Sequence, residues 1–192
     1  VDAVTSFSRF KDDQMLKKQS GTKTARKLDI PKLDDANYAG TRQSQKCTLI
    51  ITEGDSAKST VIGGIGIVGR DYYGVFPLRG KMLNVRDVSR SAVINNEEIK
   101  NLVQILGLKF DMVYKDTSSL RYGHLVIMAD QDFDGSHIKG LVINFIQYFW
   151  PSLLKLDFLQ QFITPIVKAT KGKKSTMFFT MEQYKTWLQS HN

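Results

Sequence analysis

Apolar residues along this chain alternate between two spacings. Short continuous runs at Cys47–Thr52, Tyr73–Leu78 and His124–Ala129 read as strands, the first β-branched enough to be covered on both faces. Longer stretches between them repeat apolar positions every three or four residues. Ser56–Ile65 reads as a helix fraying into Gly63, Gly64 and Gly66, and Ser91–Leu106 as one amphipathic helix closed by Gly107. Ser136–Trp150 is a helix stopped by Pro151, and Leu153–Phe158 is also helical. Phe162–Lys168 and Met177–Thr180 are expected as short strands either side of a lysine-rich loop, with Met181–Gln189 as the last helix. Strands alternating with helices predict an α/β fold: a mainly parallel sheet with helices on both faces.

The first part differs. Val4, Phe7, Phe10 and Leu16 mark a short amphipathic helix, and Lys17, Lys18, Lys23, Arg26 and Lys27 follow as a basic run broken by Gly21 and Pro31. Residues 1–45 therefore read as a helical and linker segment, the basic run as solvated linker, and 46–192 as the α/β domain. The chain opens at Val1, inside a polar helix, so it is expected to be a fragment or a processed chain.

Composition adds two constraints. The formal net charge is +8 over 192 residues, which favours a polyanionic partner. Cys47 is the one cysteine, so no disulfide framework exists and a reducing compartment fits. No apolar stretch is long enough to cross a bilayer, so no membrane partner is expected.

Acids inside this basic chain collect at strand ends. One run closes on Glu53-Gly54-Asp55, another on Asp130-Gln131-Asp132-Phe133-Asp134-Gly135. In a parallel sheet, ligands bind beyond the strands' carboxyl ends, so adjacent strands would bring Glu53 and the aspartates together. Unneutralised carboxylates at that spacing would repel, and a divalent ion removes the conflict. Oxygen ligands alone favour Mg²⁺, Mn²⁺ or Ca²⁺ over zinc. An EF-hand is excluded, because its twelfth position, which needs a bidentate glutamate, is Leu141. Helix capping by Asp134 or Ser136 is the simpler alternative, though a cap needs one oxygen rather than three carboxylates.

Other residues have structural readings. Gly63, Gly64, Gly66 and Gly69 fit no phosphate-loop spacing and suggest tight packing at a helix end. His137 reads as a hydrogen-bond partner beside the acids rather than a ligand. Phe145, Tyr148, Phe149 and Trp150 read as core or domain interface rather than a base-stacking platform.

Three ordered motifs, Glu53 to Lys58 (EGDSAK), Pro77 to Arg86 (PLRGKMLNVR) and Asp130 to Leu141 (DQDFDGSHIKGL), resemble the Toprim domain of type IIA DNA topoisomerases. The wording of Gly69–Lys81 and Phe162–Lys168 is closer to eukaryotic topoisomerase II than to bacterial gyrase, and Ile30–Ala36 is similar to the segment joining the ATPase region to Toprim. The resemblance implies a Rossmann-like Toprim fold, incomplete at its carboxyl end. It also implies an isomerase that cuts and rejoins duplex DNA through a tyrosine carried by another, winged-helix domain.

At matching positions, Glu53 and Asp130 would hold the Mg²⁺ nearest the scissile phosphate, and Asp130 and Asp132 a second ion. Asp134 completes the motif. Lys81 and Asn84 would contact the DNA backbone, and Arg79 would border the cut. ATP, a homodimer and a nuclear location are implied for the full-length protein, and a fragment of this length is expected to be monomeric and inactive alone. None of its tyrosines is assigned as nucleophile. A nuclease or primase on the same scaffold, and a non-catalytic metal-stabilised interaction domain, are the rival readings.

Overall fold

The computed structural model describes the backbone of residues 2–24 and 28–191 and the side chains of 10–24 and 28–190. Val4, Phe7, Arg26 and Lys27 lie outside the side chains described. Helix α1 (Asp2–Lys18) precedes β1 (Thr48–Glu53), α2 (Gly54–Val68) and β2 (Tyr73–Leu78). Then come α3 (Arg90–Asn95), α4 (Glu97–Leu106), β3 (His124–Met128), α5 (Phe133–Phe149) and β4 (Leu159–Gln161). A hairpin of β5 (Val167–Lys171) and β6 (Lys174–Phe178) and the helix α6 (Met181–His191) close the chain.

Strands β1 to β4 form one parallel sheet in the order β2-β1-β3-β4. The chain leaves β1 toward one edge, returns, and lays β3 on β1's other side, so the order reverses between β1 and β3. Alternate residues then face opposite layers, as the pleat requires. Leu49, Ile51, Leu125 and Ile127 point into the main core with Ile99, Leu102 and Leu106 of α4 and Ile138, Val142 and Phe145 of α5. Ile50, Val75 and Met128 face the smaller cluster under Val61 and Ile65 of α2. Helices on both faces follow, as the sequence pattern required.

Several boundaries move, each for a local reason. The single helix expected at 91–106 is two, because the Asn96 side chain accepts from the Ile99 amide at 3.0 Å and starts α4 afresh. Ser89 caps α3 in the same way, accepting from Ala92 at 3.2 Å. No strand forms over Phe162–Ile166, where Pro165 has no amide to give a ladder; pairing resumes at Val167. The apolar residues before it instead supply β4 at Leu159. Leu153–Phe158 forms only one 3₁₀ turn, Pro151–Lys155. Phe10 stands exposed rather than completing an apolar stripe, while Leu16 is buried. Phe145 and Trp150 are fully buried and ring-packed with Phe149 and Phe110, which makes these rings core, whereas Tyr148 is exposed at their edge.

The segment before β1 is built into the domain. Ile30, Ala36 and Ala39 join the core, and Asp34 bridges the outer edge of β2 at Val75. Asp35 accepts a 2.5 Å bond from Nη2 of Arg121, a guanidinium with no exposed surface, and another from the Tyr122 hydroxyl. Arg121 Nη1 also donates to the Ile105 carbonyl at 2.9 Å. Burial and the Asp35 charge push the Tyr122 phenol far up, so it stays a neutral donor. Removing Asp35 leaves a buried cation without its counter-ion. Asp35→Ala should therefore lower the unfolding free energy by roughly 3 kcal/mol in urea titrations; a change within the range of an exposed-site substitution would remove this pair from the core's support.

Candidate metal centre

β1 and β3 are adjacent and parallel, with Thr52 paired to Met128 as their last register pair. Glu53 follows that pair by one residue and Asp130 by two, so both leave the sheet at the point where strand order reverses. Helix α2 starts at Gly54, which takes φ +78° to turn from strand into helix, a conformation that suits glycine. Helix α5 starts at Phe133, three residues before the sequence pattern suggested. Its cap is Asp132, not Asp134 or Ser136: Asp132 Oδ1 accepts from the Gly135 amide at 2.7 Å. The capping alternative is thus realised at one carboxylate oxygen.

Glu53 is partly buried, and its Oε2 is fully covered with no hydrogen-bond partner. Asp130, Asp132 and Asp134 are exposed. Burial first, and then the charges of Asp132, Asp130 and Asp134, raise the Glu53 carboxyl above the usual glutamate range, against a smaller pull downward from Lys81. The three aspartates are therefore close enough to Glu53 to be felt. Among the described residues, no three acid, imidazole or thiol groups are gathered tightly enough to enclose one ion. Two of the acids have internal partners. Lys81 Nζ holds Asp134 Oδ1 at 2.8 Å, and Gly135 holds Asp132. Lys81, and then His137, lower the Asp134 carboxyl. His137 is exposed.

The surrounding loops are pinned. Lys32, left-handed at φ 67°, pairs with Asp55 in the first turn of α2, and Lys58 pairs with Asp34 at 2.6 Å. The Arg79 amide donates to the Glu98 carboxylate, and the exposed Arg79 side chain lies near enough to Asp55 for its charge to help lower that carboxyl, after Lys32 and Lys58. Asn84 turns its amide inward: Oδ1 accepts from Asn144 at 2.8 Å and from the Arg86 amide at 3.3 Å, and Nδ2 donates to Asp87. Arg86 then reaches Asn144 and Gln147 of α5, each at 2.6 Å. The loop carrying Lys81 is thereby fixed to the helix carrying the aspartates.

Sequence reasoning missed this bracing, and it missed Lys139, a largely buried lysine whose ammonium lies 3.3 Å from Gln131 between the two aspartates. A lone cation on an apolar helix face was its available signal. The α2 glycines correct a further expectation: a Cβ at Gly63, Gly64 or Gly66 would meet open space, so close packing does not explain them.

An open parallel sheet with unsatisfied carboxylate at its reversal point defines a doubly wound α/β domain with an acidic ligand crevice. The family model described as Toprim domain matches residues 48–166. The chain belongs to the Toprim domain family. It is 56% identical over 191 residues to DNA topoisomerase 2 top-2 of Caenorhabditis elegans, covering 97% of this chain and 13% of that protein. It is 57% identical over 189 residues to DNA topoisomerase 2 of Pisum sativum, again covering 97% and 13%. Among solved structures, the Plasmodium falciparum topoisomerase II DNA-binding, cleavage and re-ligation domain superposes with a TM-score of 0.81 at 56% identity, covering 87% of this chain and 23% of that one. The chain thus spans about an eighth of the length of these curated relatives.

The raised Glu53 pKa has a stability consequence. The folded chain binds that proton more tightly than the unfolded chain does, so stability falls as pH rises above the unfolded glutamate range near 4.5. Glu53→Gln should raise the melting temperature in chelator at pH 7, on the order of a few degrees, and the gain should vanish below pH ~4. An equal gain at both pH values would mean that the carboxylate charge is not what strains the site.

Proposed function

We propose that this chain is the metal-binding portion of an ATP-dependent type II DNA topoisomerase, serving transient double-strand cleavage and religation by a tyrosine elsewhere in the protein. One observation carries the metal reading: Glu53 keeps a covered, partnerless Oε2 on a carboxylate that feels the charges of Asp132, Asp130 and Asp134. A buried carboxylate oxygen without a donor is what a cation would satisfy. The names of the relatives support the reaction class.

Glu53, Asp130 and Asp132 would hold Mg²⁺, with Mn²⁺ or Ca²⁺ able to substitute, since all the donors are hard oxygens. Asp132 can do so through Oδ2 while Oδ1 keeps its cap. Asp134 contributes only if Lys81 releases it. When bound, a divalent cation would supply Lewis-acid stabilisation to a phosphodiester oxygen.

Lys81 and Arg79, both exposed, offer charge to the DNA backbone. Asn84 supports them by fixing their loop to α5. Tyr114 and Tyr122 are buried, and the reading places the nucleophile outside this chain. ATP hydrolysis, dimerisation and a nuclear location belong to the whole protein in this reading.

Glu53→Gln and Asp130→Asn should each weaken Mg²⁺ binding by about tenfold or more in calorimetry. In the whole enzyme they should abolish DNA cleavage while duplex binding persists; near-normal cleavage by either would refute the ligand assignment. Lys81→Ala should flatten the salt dependence of duplex affinity by about one unit of log–log slope, and an unchanged slope would exclude it from the backbone contacts.

A further inference from the structure

The β5–β6 hairpin carries a concentration of positive charge that the metal centre does not use. Between Phe158 and Asn192 the chain has five lysines against one glutamate, half of its net charge of +8. Four of the five (Lys168, Lys171, Lys173 and Lys174) lie on the hairpin, all exposed. Among the described residues no carboxylate pairs with any of them. The antiparallel register sets Lys171 directly opposite Lys174, and Lys173 sits in the turn between them. Like charges facing across a ladder destabilise it.

The hairpin holds that arrangement closed nonetheless. Gly172 takes φ +61° in the two-residue turn, and the hydroxyls of Thr170 and Ser175 meet across the strands at 3.1 Å. At the other end, Phe178 is buried and packs on Tyr184 and Trp187 of α6. Three ammonium groups are thus presented on a braced ribbon rather than on a flexible tail. The same ribbon offers hydroxyls at Thr170 and Ser175 beside Lys168, and lysine with hydroxyl is the usual vocabulary of phosphate-backbone contact.

We infer that the hairpin tip, Lys171, Lys173 and Lys174, is a sequence-independent contact for the phosphate backbone of duplex DNA, additional to the loop carrying Lys81. A polyanion relieves the repulsion between Lys171 and Lys174 that the fold itself leaves uncompensated. The inference takes DNA as partner from the reading above, yet it concerns residues that the metal chemistry does not touch.

The test is fluorescence anisotropy of the chain on a labelled blunt duplex, in chelator, across a salt series. The triple variant Lys171→Gln, Lys173→Gln, Lys174→Gln should lose roughly tenfold or more in affinity at low salt, with a log–log slope shallower by about two to three units. A control triple at exposed, unpaired lysines elsewhere (Lys46→Gln, Lys109→Gln, Lys115→Gln) removes the same net charge and should change both far less. Lys174→Glu places opposite charges across the ladder, so its melting temperature should hold or rise while DNA affinity falls.

An unchanged slope in the hairpin triple, or an equal loss in the control, overturns the proposal. So does displacement of the duplex by poly-glutamate at equal charge, which would assign the surface to an acidic protein. Mg²⁺ binding measured by calorimetry should be the same in the hairpin triple as in the unaltered chain. A failed hairpin thus leaves the metal reading standing, and a failed metal reading leaves the hairpin result interpretable.

Discussion

The hydrogen-bonded register of β1 on β3 is the constraint from which the functional reading descends. Those strands are far apart in sequence, and neither bears an acid within the residues paired between them; Glu53, the last residue of β1, pairs with Leu78 of β2. Parallel pairing brings both strands out of the sheet at the same edge, and the reversal of strand order leaves that edge uncovered by a crossover. A slip of one residue would send Leu49 and Ile51 to the α2 face and turn Glu53 with them. The two hydrophobic layers thus fix the register, and the register fixes where the carboxylates stand.

Around that edge the protein distributes internal counterparts unevenly. Asp134 has an ammonium, Asp132 an amide and Asp55 an ammonium, each supplied by a neighbouring loop or helix turn. Glu53 alone keeps an oxygen that is both covered and unanswered. The imbalance separates structural acids from the one whose burial opposes stability, and groups of that kind gather at functional sites because evolution tolerates their strain there. The polar bracing through Asn84, Asn144 and Arg86 makes the surrounding loops part of α5's rigid body, so that a cation and a backbone contact would be presented by one unit.

Much of this was legible in the residues themselves. Continuous apolar runs located β1, β2 and β3, because strands buried on both faces have little choice of composition. The acids were conspicuous because each stood immediately after such a run. What escaped notice depended on side chains acting on the backbone or across long sequence gaps. Asn96 splits a helix without disturbing its apolar period, since the two pieces bury the same side. Asp132, rather than Asp134, caps α5 because one backbone dihedral decides which oxygen reaches the amide. The pairing of Asp35 with Arg121 joins residues separated by 86 positions, and no local pattern announces it. Lys139 stood alone among apolar neighbours, a signal of burial, but its partner Gln131 lies off the helix where no periodicity points to it.

Gly135 closes the acidic turn for a reason of space. A methyl group there would stand 2.1 Å from the Asp130 carbonyl oxygen. The first turn of α5 is therefore pressed against the strand end that precedes it, with no room for even the smallest side chain. The glycine after the third aspartate lends its amide to Asp132, and its absent carbon is what lets the helix begin so soon after the strand ends.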